Sequence, residues 1–478
     1  MLVAATADWL FLRHPVGISV ALFICIFVTV VAVAHRTLVP GRTLLTSVGV
    51  LGASLLPIVM NFSLLSLLVG LAGASFLLLA ATGHVSFDLL DGLMKIIRLI
   101  FGGPVQMIFD LTRASAMLKR SDTPVFGRNQ IVAWGTTLGL GTVFLILFSA
   151  ANPLISKWIS EIDILWALGQ LDYVRLLFWC VCMALAWPFL RSRLGTIAFR
   201  KPKTRKAVTP QKDRRADLIQ SGQVVWPLAV FNLLFLVQTW LDLTYLWAGV
   251  DLPSDFTYAE YAHRGTYPLV LSSLLAAAFI LVVVRTNSAA ERSPIVRMLV
   301  NTWMAQSVFL VFSSMRRLAL YMDVYSLTYW RLFALVGMLL IAVGLISILA
   351  RIWLHRSNGW LVTVNSAVAV LTFYIFSLVN IPGAVADYNV GHSHQLTGNG
   401  VRLDRTYLCS LGPEALPAID KFEAGGESKK HFIPCRSRLV LRHKAQMSNW
   451  RGWSFYGWRL SKYLESKDRA NLNGESKD

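Results

Sequence analysis

The chain alternates long apolar runs with shorter polar stretches, and many of the apolar runs are long enough to cross a bilayer. Roughly 20 apolar residues span a hydrocarbon core as a helix, which predicts about ten spans. They fall near 17–34, 44–60, 63–82, 131–150, 173–190, 224–247, 267–284, 298–317, 331–350 and 360–379. Asn61, Phe62 and their neighbours are all that part the second run from the third, so these form a tight hairpin or one broken element. The pattern predicts an all-α polytopic integral membrane protein with a small C-terminal extramembrane subdomain. The segment 85–118 reads differently. Its apolar and charged residues alternate at helical spacing around a break at Gly102-Gly103-Pro104. That pattern fits amphipathic helices in the membrane interface, or a helix packed under the bundle.

The organisation that follows has seven parts. N-terminal transmembrane helices occupy 1–83, an amphipathic segment 84–130, further transmembrane helices 131–190 and a basic loop 191–223. A C-terminal transmembrane bundle occupies 224–379, a tail subdomain 380–466 and a charged, disordered end 467–478. The first apolar run ends at His35 and Arg36 without a small-residue cleavage site, so it reads as a membrane helix and not as a cleavable signal.

Charge sets the expected orientation. Between Arg191 and Arg215 the chain is crowded with Lys and Arg, and Asp213 is its acid. Such a loop resists translocation and is expected in the cytoplasm. Counting spans from it places loops 35–43, 285–297 and 351–357 and the segment 84–130 inside as well. Loops 151–172 and 248–266, and both termini, fall outside. Arg316 and Arg317 stand against this scheme, because they sit at an outer helix end. The expected location is the bacterial inner membrane, with periplasmic N and C termini.

Composition supports the membrane reading. Hydrophobic residues make up 55% of the chain and charged residues only 15%, with a mean hydropathy of +0.56. The net charge of +19 sits mostly in loops flanking apolar runs, so it needs no nucleic-acid partner. The partners expected are the lipid bilayer and an envelope protein or lipid at the outer face. Of five cysteines, Cys25, Cys180 and Cys182 lie in apolar runs, while Cys409 and Cys435 lie in the polar tail. A disulfide between the last two would suit the periplasm, although two cysteines do not by themselves establish proximity. His392, His394, Cys409, His431, Cys435 and His443 fit no compact zinc spacing, so no metal is expected. There is no Walker-type glycine loop, no Gly-x-Ser-x-Gly and no His-Glu-x-x-His, and no cofactor is expected.

Three polar clusters fall on the outer side. The first, Thr257 to Gly265, sets Glu260 and Arg264 at i,i+4 beside Tyr258 and Tyr261. That is either an interfacial helix turn with its aromatic belt or a polar site at the mouth of the bundle. The second joins two spans through Arg316, Arg317, Tyr321, Asp323, Tyr325 and Arg331. Charge beside hydrocarbon is costly unless paired or snorkelling, and Asp323 is the nearest partner in sequence. The third, Asn380-Ile381-Pro382-Gly383 through Asp387-Tyr388-Asn389, reads as a helix stop with a tail linker, or as a set of donors and acceptors. Asp242 adds a carboxylate near the outer end of the sixth span. The aromatic and basic stretch Trp450 to Arg459 suits packing of a small tail domain, or contact with the outer membrane face.

These clusters resemble a set found in an uncharacterised bacterial membrane family, domain of unknown function 4173. The resemblance runs through Tyr258-Ala259-Glu260-Tyr261, Arg264-Gly265, Arg317, Leu320, Tyr321, Tyr325-Ser326-Leu327-Thr328 and Arg331. It continues through Asn380 to Asn389, Tyr407-Leu408, Gly412 to Pro417 and Asn449 to Trp453. It covers the chain from about residue 220 onward, and Ser326 stands where that family more usually has glycine. What it implies is a shared polytopic fold, with no catalytic assignment.

Three functions remain open to the sequence. The first is a non-enzymatic envelope sensor, scaffold or regulator whose tail meets a partner. The second is an outer-leaflet enzyme on a lipid-linked or glycan substrate, with Glu260 or Asp387 as acid or base and Arg316, Arg317 and Arg331 holding phosphate. The third is a transporter, which requires polar residues converging near the bilayer midplane.

Overall fold

The computed structural model describes residues 2–35, 41–81, 91–97, 99–100, scattered positions between 107 and 141, 172–190, 214–249, parts of 270–275, 293–398, 400–425 and 433–475. Among these residues there is no strand, and one isolated bridge joins Ser393 to Val401.

The N-terminal half contributes α1 (Leu2–Phe11), α2 (Ile18–His35), α3 (Gly41–Met60), α4 (Leu64–Ala81) and α5 (Tyr173–Leu190). α3 and α4 are separate helices, which resolves the ambiguity at residues 61–63 as a hairpin. Ser63 and Ser66 each accept the other's backbone N–H, at 3.1 and 2.8 Å, and so start α4 with reciprocal caps. The two helices close tightly because α4 turns small residues toward α3. A Cβ on Gly73 would lie 1.8 Å from Ser54 Oγ, and one on Gly70 would lie 2.6 Å from Ile58 Cδ1. Lipid gives helices no hydrophobic reason to associate, so close backbone packing of this kind carries the contact.

The C-terminal bundle is α6 (Arg214–Leu241), which runs on into a π-helix at Asp242–Trp247, then α7 (Pro294–Tyr325), α8 (Tyr329–Trp353) and α9 (Asn358–Leu378). Its core is built from Leu228, Val300, Trp303, Met304, Val311, Met338, Ala342 and Leu345. Thr328 caps α8 and Ser357 caps α9 through their hydroxyl oxygens, while a proline opens α7.

Among the described residues, five helices are long and apolar enough to cross a membrane: Leu64–Ala81, Val225–Trp247, Pro294–Tyr325, Tyr329–Trp353 and Asn358–Leu378. The described residues therefore confirm an all-α protein with several candidate spans but do not confirm the expected count of about ten. Ile18–Val33, Leu45–Met60 and Tyr173–Trp187 are apolar but shorter. The helices that carry these runs, α2, α3 and α5, are 18, 20 and 18 residues long, no shorter than the 18 residues of α4, so length does not bar them from crossing a bilayer. The spans expected at 131–150 and 267–284 lie largely outside the described residues, as do most of the amphipathic segment and the basic loop.

Beyond α9 the tail forms α10 (Ile381–Gly391), α11 (Arg405–Ser410), α12 (Leu416–Gly425), α13 (Ile433–Met447) and α14 (Phe455–Glu475). Asn380 Oδ1 accepts the Gly383 N–H at 3.2 Å with Pro382 in the first turn, so Asn-x-Pro-Gly starts a helix at this position. Val385, Ala386, Leu408, Leu416, Ile419, Leu439 and Leu460 share one core with Met322 and Leu327 of the bundle. Cys409 and Cys435 are joined in a disulfide. Residues 467–475, expected as disordered, continue α14, because Lys467 is anchored on Asp420 at 2.8 Å.

The tail also grips the N-terminal helices. Ile18 donates its N–H to the Trp453 carbonyl at 2.9 Å, and Gln446 Nε2 donates to the Val16 carbonyl at 2.8 Å. The Arg451 guanidinium lies 4.7 Å from the Trp9 ring and 5.1 Å from Trp450, a cation–π sandwich. The backbones of Gly17 and Gly452 meet so closely that a Cβ on Gly17 would lie 2.5 Å from the Gly452 carbonyl carbon. Tyr456 Oη donates to the Leu378 carbonyl at 2.9 Å. Beside this seam, Arg175 at the start of α5 binds Asp8 of α1 at 2.5 Å, and Arg13 binds Asp172 at 2.9 Å. The tail therefore collects the start of α2, the junction of α7 with α8 and the end of α9 at one end of the helices.

Candidate functional site

The second and third polar clusters meet at this end. Asn389 of α10, buried to 5% exposure, reads the backbone of Leu327 in the α7–α8 turn. Its Oδ1 accepts the Leu327 N–H at 2.7 Å and its Nδ2 donates to the Leu327 carbonyl at 2.8 Å. One amide thus satisfies both polar groups of a residue that belongs to no helix, where orphaned backbone groups would be costly.

The residue before it is strained. Ser326 sits at φ 66°, ψ 169°, a region that glycine alone occupies readily. Asn389 holds one side of this turn and Arg331 the other. The Arg331 guanidinium donates to the Tyr325 carbonyl at 2.6 Å and to the Ser326 carbonyl, and it lies 4.6 Å from the Tyr321 ring. Tyr321 and Tyr325 pack with ring centroids 4.6 Å apart. Arg331 is therefore spent on the C-terminal carbonyls of α7, where a cation complements the helix dipole. Replacing Ser326 with glycine is expected to stabilise the protein by about 1 kcal/mol, because the relief of strain exceeds glycine's entropy cost. Thermal unfolding of the purified protein in detergent measures it, and a lower midpoint for the variant would contradict the strained turn.

Arg317 is not paired with Asp323, its nearest acid in sequence. Arg317 and Asp242 form an ion pair between α7 and the start of the π-helix, at 2% and 0% side-chain exposure. Gln238 Nε2 donates to the same Asp242 oxygen at 2.9 Å. Arg316 turns to the end of that π-helix, donating through Nε to the Leu246 carbonyl at 3.3 Å and lying 5.4 Å from the Trp247 ring. Asp323 and Asp387 are exposed. Burial, and then the Asp323 charge, raise the pKa of Tyr388 on α10. Glu260, Tyr261 and Arg264 lie outside the described residues.

Polar side chains continue from the ion pair along the α6–α7 contact. Asn232 Nδ2 donates to the Leu299 carbonyl at 3.0 Å. Side-chain oxygens of Asn232, Thr239, Asn301 and Gln306 are buried without a hydrogen-bond partner among the described residues. Sequence reading missed this lane, since each residue is a lone polar position in an apolar run.

Two further features went unread. In the tail, Asp420, 4% exposed, accepts from Arg436 at 2.7 Å, Lys467 at 2.8 Å and Tyr463 at 3.0 Å, tying α12, α13 and α14 together. Burial works against its charge, but Arg436 and Lys467 outweigh burial and hold the carboxyl below its usual 3.8. Burial and the Asp420 charge push Tyr463 up to about 12. His443 lies 2.9 Å from Ser461 Oγ, and burial depresses its pKa below 6.5. The second feature is a cavity of about 570 Å³ between α11 and α13, lined by Arg405, Arg438 and Arg442 beside the disulfide. The one sequence signal for it is α13 itself, basic along its length without an acid. No group of three or more His, Cys, Asp or Glu that could hold a metal occurs among the described residues.

The depressed pKa of His443 has a pH consequence. The unfolded chain binds its proton more readily than the folded tail, so that stability is present above 6.5 and is lost as pH falls below it. Asp420 acts in the same sense, but only below 3.8. Glu414 and Glu423, raised by burial, act in the opposite sense above 4.5. Comparison with His443→Gln isolates the histidine. Wild type should lose stability relative to the variant as pH is lowered from about 7.5 to about 5.5. Parallel melting curves across that window would refute it.

No curated protein and no solved structure matches the chain. Residues 22–422 match a family described as Domain of unknown function (DUF4153). This corrects the family number drawn from the short motifs. Those motifs are largely cap and turn chemistry, as at Asn380, Thr328 and Ser326, which specifies local geometry more than ancestry. The match runs from α2 to α12, and the chain belongs to this uncharacterised DUF4153 family.

Proposed function

We propose that the protein is a non-enzymatic sensor or regulator of the bacterial cell envelope, with its tail on the periplasmic side of the inner membrane. The observation that carries this reading is the grip of Asn389 on Leu327. It makes the tail and the α7–α8 turn one mechanical unit, so that an event at the tail reaches two long apolar helices directly. The arginines offered to a phosphate substrate are otherwise occupied: Arg317 on Asp242 and Arg331 on helix carbonyls. The periplasmic side is supported by the basic loop 191–215 and by the tail disulfide, which belongs in an oxidising compartment.

A deletion strain complemented with variants tests the reading. Asn389→Ala should fail to complement even when its expression is raised to wild-type membrane abundance, while Glu260→Gln and Asp387→Asn should complement. The reverse pattern would establish the enzyme. For the orientation, a membrane-impermeant thiol reagent should label Cys409 and Cys435 in intact cells only after reduction. Labelling that requires permeabilised inner membranes would invert the topology.

A second reading, transport, is favoured by the polar lane of Asn232, Thr239, Asn301 and Gln306 ending at Asp242 and Arg317. Proteoliposomes with an ion-sensitive dye address it. Flux lost in Asn232→Leu would place transport first, and its absence in wild type would remove it.

A further inference from the structure

We propose that the cleft between α11 and α13 binds a phosphate group, and that anionic phospholipid headgroups of the adjoining leaflet are its natural source. The site is built from two helix faces. Arg405, Thr406, Cys409 and Ser410 come from one face of α11, and Arg438 and Arg442 from one face of α13. The Cys409–Cys435 bridge clamps the two faces together, so the cleft is set before any ligand arrives.

Charge argues for an anion. Arg438 and Arg442 are like charges at i,i+4 on a helix, an arrangement that is unfavourable in isolation, and Arg405 adds a third guanidinium from the facing helix. Arg405 is engaged by other groups as well, and among the described residues two acids stand near the three arginines. Asp404 accepts the Tyr407 N–H at 2.9 Å as the cap of α11. Glu414, whose pKa is raised by burial, is the acid that Arg442 influences. Guanidinium forks match phosphate oxygens in pairs, and the hydroxyls of Thr406 and Ser410 add donors of the type a phosphate accepts. The cavity of about 570 Å³ admits a headgroup.

Position argues for the bilayer. The same short α11 carries Tyr407, whose phenol oxygen accepts the Tyr329 N–H in the first turn of α8, at 3.0 Å. The opposite face of α11 then lies about one helix diameter, roughly 10 Å, from the end of a membrane-spanning helix. That is headgroup level. Which leaflet supplies the lipid rests on the periplasmic reading above, but binding itself does not.

The test uses the purified full-length protein. In detergent, inorganic phosphate is titrated against thermal unfolding. In parallel, nanodiscs of zwitterionic lipid alone are compared with nanodiscs that also contain phosphatidylglycerol. Stabilisation by both anions, weakened about tenfold or more in R438Q/R442Q and unchanged in the equal-charge control K444Q/R459Q, establishes the site. Stabilisation only in phosphatidylglycerol nanodiscs, with the same variant pattern, assigns it to lipid. Stabilisation by free phosphate alone keeps the site but overturns the lipid source. No stabilisation of wild type by either anion, or equal loss in the control, overturns the proposal. Arg438 and Arg442 are exposed, so the double variant should fold, and R438Q alone replaces it if its ligand-free melting differs from wild type. Thiol labelling in intact cells reports the side of the tail independently. A cytoplasmic tail would change the leaflet and leave the binding result standing.

Discussion

Replacing Asp242 with asparagine is expected to destabilise the folded bundle by about 3–5 kcal/mol, the range for removing one partner of a fully buried ion pair. Withdrawing the carboxylate would leave the buried Arg317 guanidinium facing a neutral amide in place of its counter-charge. The Arg317 side chain is 2% exposed and lies about two turns before the end of α7. The Gln238 amide, which now donates to the Asp242 carboxylate, would face a neutral amide that offers one acceptor fewer. The expected result is a marked drop in membrane abundance and a lower melting midpoint in detergent. Removing both charges as D242L/R317M should recover much of the loss, since an apolar pair of similar volume carries no desolvation cost. Cellular function then separates two roles. If the double variant folds but fails to complement, the pair does more than hold α6 to α7. A D242N protein that melts like wild type would show that the pair contributes little.

The apolar spans were legible in sequence because lipid imposes a length: α8 and α9 begin and end within three residues of the expected bounds, whereas α7 runs on to Tyr325, past the expected end at 317. The count was less legible for a physical reason. A run such as Ile18–Val33 or Tyr173–Trp187 carries the same composition whether it spans lipid or packs inside a protein, and the helices that hold these two runs match α4 in length at 18 residues, so length does not separate them either. Pairings across the fold were not legible. Asp242 and Arg317 are 75 residues apart and Asn389 and Leu327 are 62 apart, whereas Asp323 was merely the nearest acid in sequence. A residue's type announces that it needs a partner but not which partner. Ser326 is an intermediate case. Glycine at that place in the resembled family hinted at an unusual backbone, and the positive φ supplies the reason. The arginine cleft left the weakest trace, because α11 and α13 share no motif and meet only through the disulfide and the tail core.

Breaking the Cys409–Cys435 bond is expected to cost the tail about 3–4 kcal/mol, on the loop-entropy account for a closure of this length. The bridge spans 26 residues of sequence. The six residues of α11 are too few to hold a helix unaided, so its position depends on this bond, on the Asp404 cap and on Tyr407. The loss should be confined to one region. Met338, Leu345 and the rest of the bundle core make no use of the bond, so C409S/C435S should stay inserted and keep its spans. Limited proteolysis of purified protein is the measurement. The variant, or wild type under reductant, should be cut in the tail at much lower protease levels, while the helices from α7 to α9 remain protected. Asn389 and Leu327 join the loosened tail to α7 and α8, so weakening there should spread to the Ser326 turn before it reaches the rest of the bundle. Identical cleavage with and without the bond would mean that the tail core and the Asp420 cluster hold α11 and α13 without it.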